Sequence, residues 1–257
     1  MNKLPALYIG HGAPMLLDDP LWCSELEQVA TKIGKPKAIL IVSAHWESEP
    51  ITFSNPNANT PLVYDFSGFD AKFYQMKYQT PDANNFMSLI ASMLPDQEIV
   101  IRSDRGLDHG AWVPLKVMYP EADIPVIQMS MPSSDPIKLI ELGKKLQPLK
   151  DLGVLIIGSG FMTHGLRYLE DFNINAQAPA WSSEFDDWAA RALAAGDLDT
   201  LTNFKFTAPG MPYAHPTVEH FIPLFITLGA AAKIDQSPET LIEGYFMGLS
   251  KRSLLVN

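Results

Sequence analysis

The chain has 257 residues, of which 47% are hydrophobic and 19% charged, so it can bury a large core and is predicted to form a single domain over residues 1–257. Its formal net charge of −10 argues against nucleic acid or an anionic membrane as a partner, because 29 acidic residues outnumber 19 basic ones. The single cysteine, Cys23, excludes an intramolecular disulfide and a zinc site of several thiolates, and it fits a reducing, cytoplasmic compartment. The composition leaves the oligomeric state open.

Short runs rich in Val, Ile and Leu, bounded by Gly, Pro or Ser, are typical of buried strands. They predict strands over Ala6–Ile9, Ala38–Val42, Ile99–Ile101, Pro125–Met129, Val154–Ile157 and Gly244–Met247. Helical spacing of apolar residues predicts helices over Leu21–Ile33, Ala83–Met93, Pro136–Leu149, Ser183–Ala195 and Thr217–Leu228. This alternation predicts an α/β fold with a central, mostly parallel mixed sheet flanked by helices.

Two stretches, Ser48–Pro81 and Tyr168–Ala180, are rich in Asn, Pro, Asp and aromatic residues and lack a sustained period. We therefore predict long ordered loops in both places. Loops of this length often form binding sites.

Three of the six histidines follow predicted strands closely: His11, His45 and His164. Ligands of an open α/β sheet bind beyond the carboxyl ends of its strands, so all three side chains could converge on one crevice. Neighbouring glycines permit tight turns and close backbone approach. A lone histidine after a strand is nevertheless more often structural than a ligand, and spacing alone leaves both interpretations open.

His220 is predicted to lie in the first turn of the helix that begins near Thr217, which is a good N-cap residue. Glu219 lies beside it. His215 precedes Pro216 and either shapes a turn or lines the mouth of a pocket.

His109 lies in a segment bracketed by glycines and is predicted to be in a loop. The adjacent Asp108 could orient its imidazole, or could instead cap a turn. Imidazole ligands without thiolates suit Zn²⁺, Fe²⁺ and related ions, so the donor set does not select a metal.

Five segments, in this order along the chain, together resemble the class III extradiol ring-cleavage dioxygenases, in the branch similar to DOPA 4,5-dioxygenase. They are Gly10–Pro14, Ser43–Trp46, Tyr64–Phe69, Leu107–Trp112 and Pro216–Phe221. The resemblance implies that His11, His45 and His220 hold one metal ion. Many class III enzymes use a glutamate in the third position, so Glu219 is the alternative to His220.

The resemblance also implies a chemistry. The expected catalytic ion is Fe²⁺, with Zn²⁺ as an alternative resting metal, and the expected substrates are a small aromatic diol and O₂. His164 would face the substrate and take a proton, or join the metal as a fourth ligand. His109 would bind the substrate or stabilise charge on oxygen during ring opening.

Two other functions remain open on the same residues. A zinc hydrolase would use the histidines to activate bound water and would need no oxygen. A non-catalytic metal-binding protein could share the fold, because fold does not fix function.

Overall fold

A computed structural model of the chain describes residues 3–233 and 236–257. The ten strands in this part are β1 (Ala6–Gly10), β2 (Ala38–Glu47), β3 (Ile51–Ser54), β4 (Ile99–Arg102), β5 (Val126–Met131), β6 (Val154–Gly160), β7 (Glu239–Ile242), β8 (Tyr245–Phe246), β9 (Leu249–Ser250) and β10 (Ser253–Val256). The helices are α1 (Pro20–Ile33), α2 (Asn84–Ser92), α3 (His109–Met118), α4 (Pro136–Leu146), α5 (Ala180–Ala195), α6 (Leu198–Thr202), α7 (Phe204–Thr207) and α8 (Pro223–Gly229). None of these helices is long and apolar enough to cross a membrane.

Eight strands form one sheet in the order β4-β3-β5-β2-β6-β1-β10-β7. The four central strands, β5, β2, β6 and β1, are parallel to one another. Strand β3 is antiparallel to β5, and β10 is antiparallel to both β1 and β7. The predicted α/β fold with a mostly parallel mixed sheet is confirmed.

Alternate residues of the central strands point into two separate hydrophobic cores, as the period of two in a strand requires. Tyr8, Leu40 and Ile156 pack on the face covered by α4, α5 and α8. Leu7 and Ile41, which alternate with these residues along their strands, pack on the face covered by α1 and α3. Helices on both faces explain why these strands are continuous apolar runs.

The helices begin where local sequence satisfies their free N–H groups. Asp19 accepts hydrogen bonds from the N–H groups of Leu21 and Trp22, and Pro20 occupies the first position of α1. Asp135 caps α4 in the same way. Both helices therefore start within one residue of their predicted positions.

The predicted helix over Thr217–Leu228 is too long, because α8 begins only at Pro223. The Thr217 hydroxyl donates to the carboxylate of Glu219 at 3.0 Å and caps no helix. His220 therefore lies in a turn before α8 and not in a first helical turn. Proline opens a helix readily because it has no N–H to leave unpaired.

The predicted loop around His109 is also wrong, because α3 begins at His109 itself. Its first turn is closed by the carbonyl of Asp108, which accepts from the N–H groups of Ala111 and Trp112. Gly110 and the internal Pro114 are both unfavourable in helices, so the sequence pattern did not indicate α3.

Candidate metal centre

Three histidines from distant parts of the chain meet at one end of the central strands. His11 follows β1, His45 lies within β2, and His220 lies in the turn before α8. The Nε2 atom of His45 is 2.9 Å from Nε2 of His11 and 3.3 Å from Nε2 of His220. The structure thus gathers the three side chains that the resemblance implies as ligands.

Ser159, at the carboxyl end of β6, determines which ring nitrogen of His11 carries the proton. The Ser159 hydroxyl donates to the carbonyl of Gly110, so its oxygen is left to accept from Nδ1–H of His11 at 2.9 Å. The Gly110 carbonyl is available because Pro114, four residues further along α3, has no N–H to donate to it. Nε2 of His11 therefore carries a lone pair towards His45.

Glu219 determines which ring nitrogen of His220 carries the proton. Nδ1 of His220 lies 2.9 Å from the Glu219 carboxylate, which can only accept, so Nε2 of His220 also carries a lone pair. The backbone carbonyl of His220 accepts from the Tyr8 hydroxyl at 2.9 Å and from the Phe161 N–H at 2.8 Å. A Cβ at Gly160 would lie 2.0 Å from this carbonyl, so the approach requires glycine.

The cluster fits a bound metal cation. Metal–nitrogen distances of about 2.0–2.1 Å place neighbouring ligand nitrogens about 3.0–3.4 Å apart, close to the spacings around His45. Without a cation, the lone pairs of His11 and His220 would both face another nitrogen at close range. Burial lowers the pKa of His11 and of His220 well below the usual value, so both imidazoles are neutral and able to bind metal at pH 7.

His45 completes the set from within β2. Burial, with the neighbouring His109, lowers its pKa to about 3. A Cβ at Gly110 would lie 3.0 Å from the His45 ring and 2.4 Å from the Ser43 hydroxyl, so the first turn of α3 packs directly against the cluster. Nitrogen donors of this kind suit iron and zinc alike.

His109 is oriented by Asp65 and not by Asp108. One Asp65 carboxylate oxygen accepts from His109 Nδ1 at 2.8 Å and from the His109 backbone N–H at 3.0 Å. Burial alone would raise the pKa of Asp65, but these hydrogen bonds lower it below its usual value.

Asp108, in contrast, is fully buried and contacts the Gln128 amide and the Arg105 guanidinium. Burial, with the nearby Asp65, raises the pKa of Asp108. Its side chain makes no capping hydrogen bond to α3. Asp108 therefore neither orients His109 nor caps the helix with its carboxylate.

His164 lies against His220. The two rings are stacked, with centroids 3.4 Å apart and planes 13° apart. His164, Glu219 and His220 each have one possible metal-binding atom within 4.8 Å of those of the other two. His11, His45 and His220 form a second such group. Burial, with the nearby His109, lowers the pKa of His164 to about 4.

A cavity of about 540 Å³ opens onto the cluster, and all the histidines except His215 line it. Phe66 and Phe69, from the long predicted loop, form part of its aromatic wall. His215 is buried elsewhere, where its ring Nε2 donates to the Met162 carbonyl at 2.9 Å.

Sequence reasoning missed two residues that set the geometry of the site. Ser159 lies in the Gly-Ser-Gly segment before His164, and Asp65 lies in the Tyr64–Phe69 segment. Nothing in the local sequence links Asp65 to His109, which is 44 positions away. The only usable signal was that both residues belong to segments already singled out.

The chain is similar to known proteins in sequence and in fold. The sequence pattern of a family described as the catalytic LigB subunit of aromatic ring-opening dioxygenase matches residues 18–248. The chain is 42% identical over 240 residues to a protein of Beta vulgaris named 4,5-DOPA dioxygenase extradiol, covering 90% of this chain and 88% of that one. A protein of the same name from Escherichia coli K12 is 33% identical over 254 residues, covering 96% of this chain and 92% of the other.

A solved structure of an uncharacterized Escherichia coli K12 protein superimposes on the chain with a TM-score of 0.82 and 30% identity. The superposition covers 99% of this chain and 100% of the other.

Proposed function

The chain belongs to the LigB family of aromatic ring-opening dioxygenases, and from that membership we propose that it uses non-haem Fe²⁺ to open the ring of a catechol-type substrate with O₂. The observation that carries the proposal is the set of three Nε2 atoms aimed at one another beside an aromatic-lined cavity. Such a set leaves metal positions open for substrate and oxygen.

His11, His45 and His220 would hold the ion. When bound, the metal would supply Lewis acidity that lowers the pKa of a catechol hydroxyl and would bring O₂ to the ring. Ser159 and Glu219 keep Nε2 of His11 and His220 free of protons. Glu219 supports His220 in this arrangement and does not take its place.

His164 is the proposed base for a catechol hydroxyl. It lines the cavity, and its lowered pKa of about 4 keeps the imidazole neutral and able to accept a proton at pH 7. His109, held by Asp65, presents Nε2 to the same cavity, where it would contact substrate oxygen.

The experiment is a screen of iron-loaded protein against catechols, including DOPA, protocatechuate and caffeate, with oxygen uptake and the yellow ring-opened product recorded together. Oxygen-dependent cleavage that requires iron supports the proposal. Oxygen-independent cleavage of an ester or amide by the zinc-loaded protein would support the hydrolase instead.

His164→Gln gives the sharpest test of a single role. We expect kcat to fall by about 10²–10⁴-fold, the usual contribution of general base catalysis, while the bound iron per chain stays unchanged. Wild-type turnover would remove the base role. Loss of the metal would make His164 a ligand.

A further inference from the structure

Within residues 3–233 and 236–257, no group donates a hydrogen bond to the ring of His164, the proposed base, or accepts one from it. The rings of His11, His109 and His220 differ, because each forms a hydrogen bond through Nδ1. His164 is positioned by its stacking on His220 and by the backbone of its own loop. Its placement in the cavity therefore depends on the contacts that fix that backbone.

The loop that carries His164 lies along the segment that carries His220. The Phe161 N–H donates to the His220 carbonyl at 2.8 Å, and the His164 N–H donates to the Ala214 carbonyl at 2.8 Å. These backbone hydrogen bonds fix both ends of the stretch 161–164. The middle of the stretch depends on other contacts.

His215 links the same two segments through its side chain. Its ring is 1% exposed and packs against the rings of Phe185 and Phe221, with centroids 4.9 and 5.4 Å away. Nε2–H donates to the Met162 carbonyl at 2.9 Å, and Nδ1 has no hydrogen-bond partner among the described residues. An unpaired buried nitrogen costs free energy that a phenylalanine at this position would avoid. Packing therefore does not explain a histidine here, whereas the bond to Met162 does.

The Met162 carbonyl needs this donor. Met162 is fully buried, and a buried carbonyl without a donor is costly. Without the His215 N–H, the chain can relieve that cost by turning the peptide between Met162 and Thr163. Such a turn would move the His164 ring relative to His220, because His164 is the next residue. A displacement of about 1 Å at a reacting group can lower a rate about 10²-fold.

We infer that His215 is a positioning residue for ring opening, whose N–H fixes the Met162 carbonyl and so holds His164 against the substrate. The inference rests on the proposed function, in which His164 is the base. His215 does not line the cavity, so it does not contact the substrate itself. Its loss should therefore change kcat and leave KM and the bound metal unchanged.

Two substitutions separate the hydrogen bond from the packing. His215→Phe keeps a ring but has no donor, and His215→Gln places an amide N–H at about the reach of Nε2. The iron-loaded variants are assayed with DOPA, protocatechuate or caffeate, whichever the wild type cleaves fastest. We expect kcat to fall at least about tenfold in His215→Phe, with KM and iron per chain within about twofold of wild type. His215→Gln should restore kcat to within about threefold.

Tyr78→Phe is the matched control. The buried Tyr78 hydroxyl donates to the Tyr119 carbonyl at 3.0 Å, so the variant also loses a bond from a buried side chain to a carbonyl. Tyr119 follows the last residue of α3, at the end of that helix opposite His109. We expect kcat to stay within about twofold of wild type, because additive effects are local to the contact that is lost.

A double-mutant cycle tests whether His215 acts through His164. Adding His215→Phe to His164→Gln should lower kcat by less than about twofold, because the base that His215 positions is already absent. A role confined to structure would lower kcat by the same factor in both backgrounds.

Wild-type kcat in His215→Phe would overturn the inference, and so would equal losses in the two backgrounds or an equally low kcat in His215→Gln. Loss of iron in His215→Phe would also overturn it, because His215 would then support the metal site. If His215→Phe does not fold, His215→Asn, whose amide is too short to reach Met162, takes its place in every comparison. No cleavage of any catechol by the wild type would instead contradict the proposed function, together with the inference that rests on it.

Discussion

The two sides of the cavity are built in different ways. On the side of the histidine cluster, His11 and His220 are each 3% exposed, and their Nδ1 atoms are hydrogen-bonded to the Ser159 hydroxyl and to the Glu219 carboxylate. Of the other residues that line the cavity, Leu166 is 42% exposed and Phe172 is 61% exposed, and both lie outside the main sheet. We therefore propose that the buried strand ends carry the chemistry, while the exposed segments contact the substrate.

Removal of one histidine should abolish the function of the metal side. We expect His45→Gln to lose bound iron, because Nε2 of His45 faces both other nitrogens. Substitution of a residue that only supports a metal ligand lowers metal affinity about 10–100-fold. The loss of iron affinity in His45→Gln should be larger than that. Metal content after dialysis measures it. Retention of one iron per chain in this variant would show that the cluster is not the binding site.

A buried ion pair lies close in sequence to the cavity-lining residue Leu249. Arg252 donates two hydrogen bonds to Asp186 in α5, and the Ser250 hydroxyl donates to the same carboxylate. The Ser250 N–H in turn donates to the hydroxyl of Thr163, the residue before His164. This network therefore joins the segment after Leu249 to the loop that carries His164.

Asp186→Asn should lower the free energy of unfolding by about 3 kcal/mol, the lower end for a broken buried pair, because Arg252 keeps only the exposed Glu243 carboxylate as an ionic partner. Urea unfolding measures the change. Asp104→Asn is the control, since the Arg102–Asp104 pair is exposed and should contribute no more than about 1 kcal/mol. A loss below about 1 kcal/mol for Asp186→Asn would mean that the buried pair contributes no more than an exposed one.

Ser159→Ala should have the smallest effect of these substitutions, and it tests whether the Ser159 hydroxyl supports metal binding by His11. Without the hydroxyl, Nδ1–H of His11 loses its acceptor and the imidazole can adopt its other tautomer. We expect metal affinity to fall about 10–100-fold in competition with a chelator, with little change in fold. Unchanged affinity would contradict the role assigned to Ser159.

The sequence was sufficient for the central strands because β1, β2, β5 and β6 are apolar runs buried on both faces. It was insufficient for β3 and β10, which are only four residues long and owe their place to partners far along the chain. The histidines could be picked out because they follow recognisable strands and glycines. Asp65 could not, since its contact with His109 exists only after folding.

Strand β1 ends immediately before His11, and its two neighbours in the sheet are β6 and β10. A ribosome that makes the protein from its amino end must reach residue 160 before β1 can acquire its complete first neighbour, and residue 256 before it acquires the second. Long-range pairing of this kind slows folding. The nascent chain therefore holds the first of the proposed ligands next to an unfinished strand, and the proposed metal site is assembled late in biosynthesis.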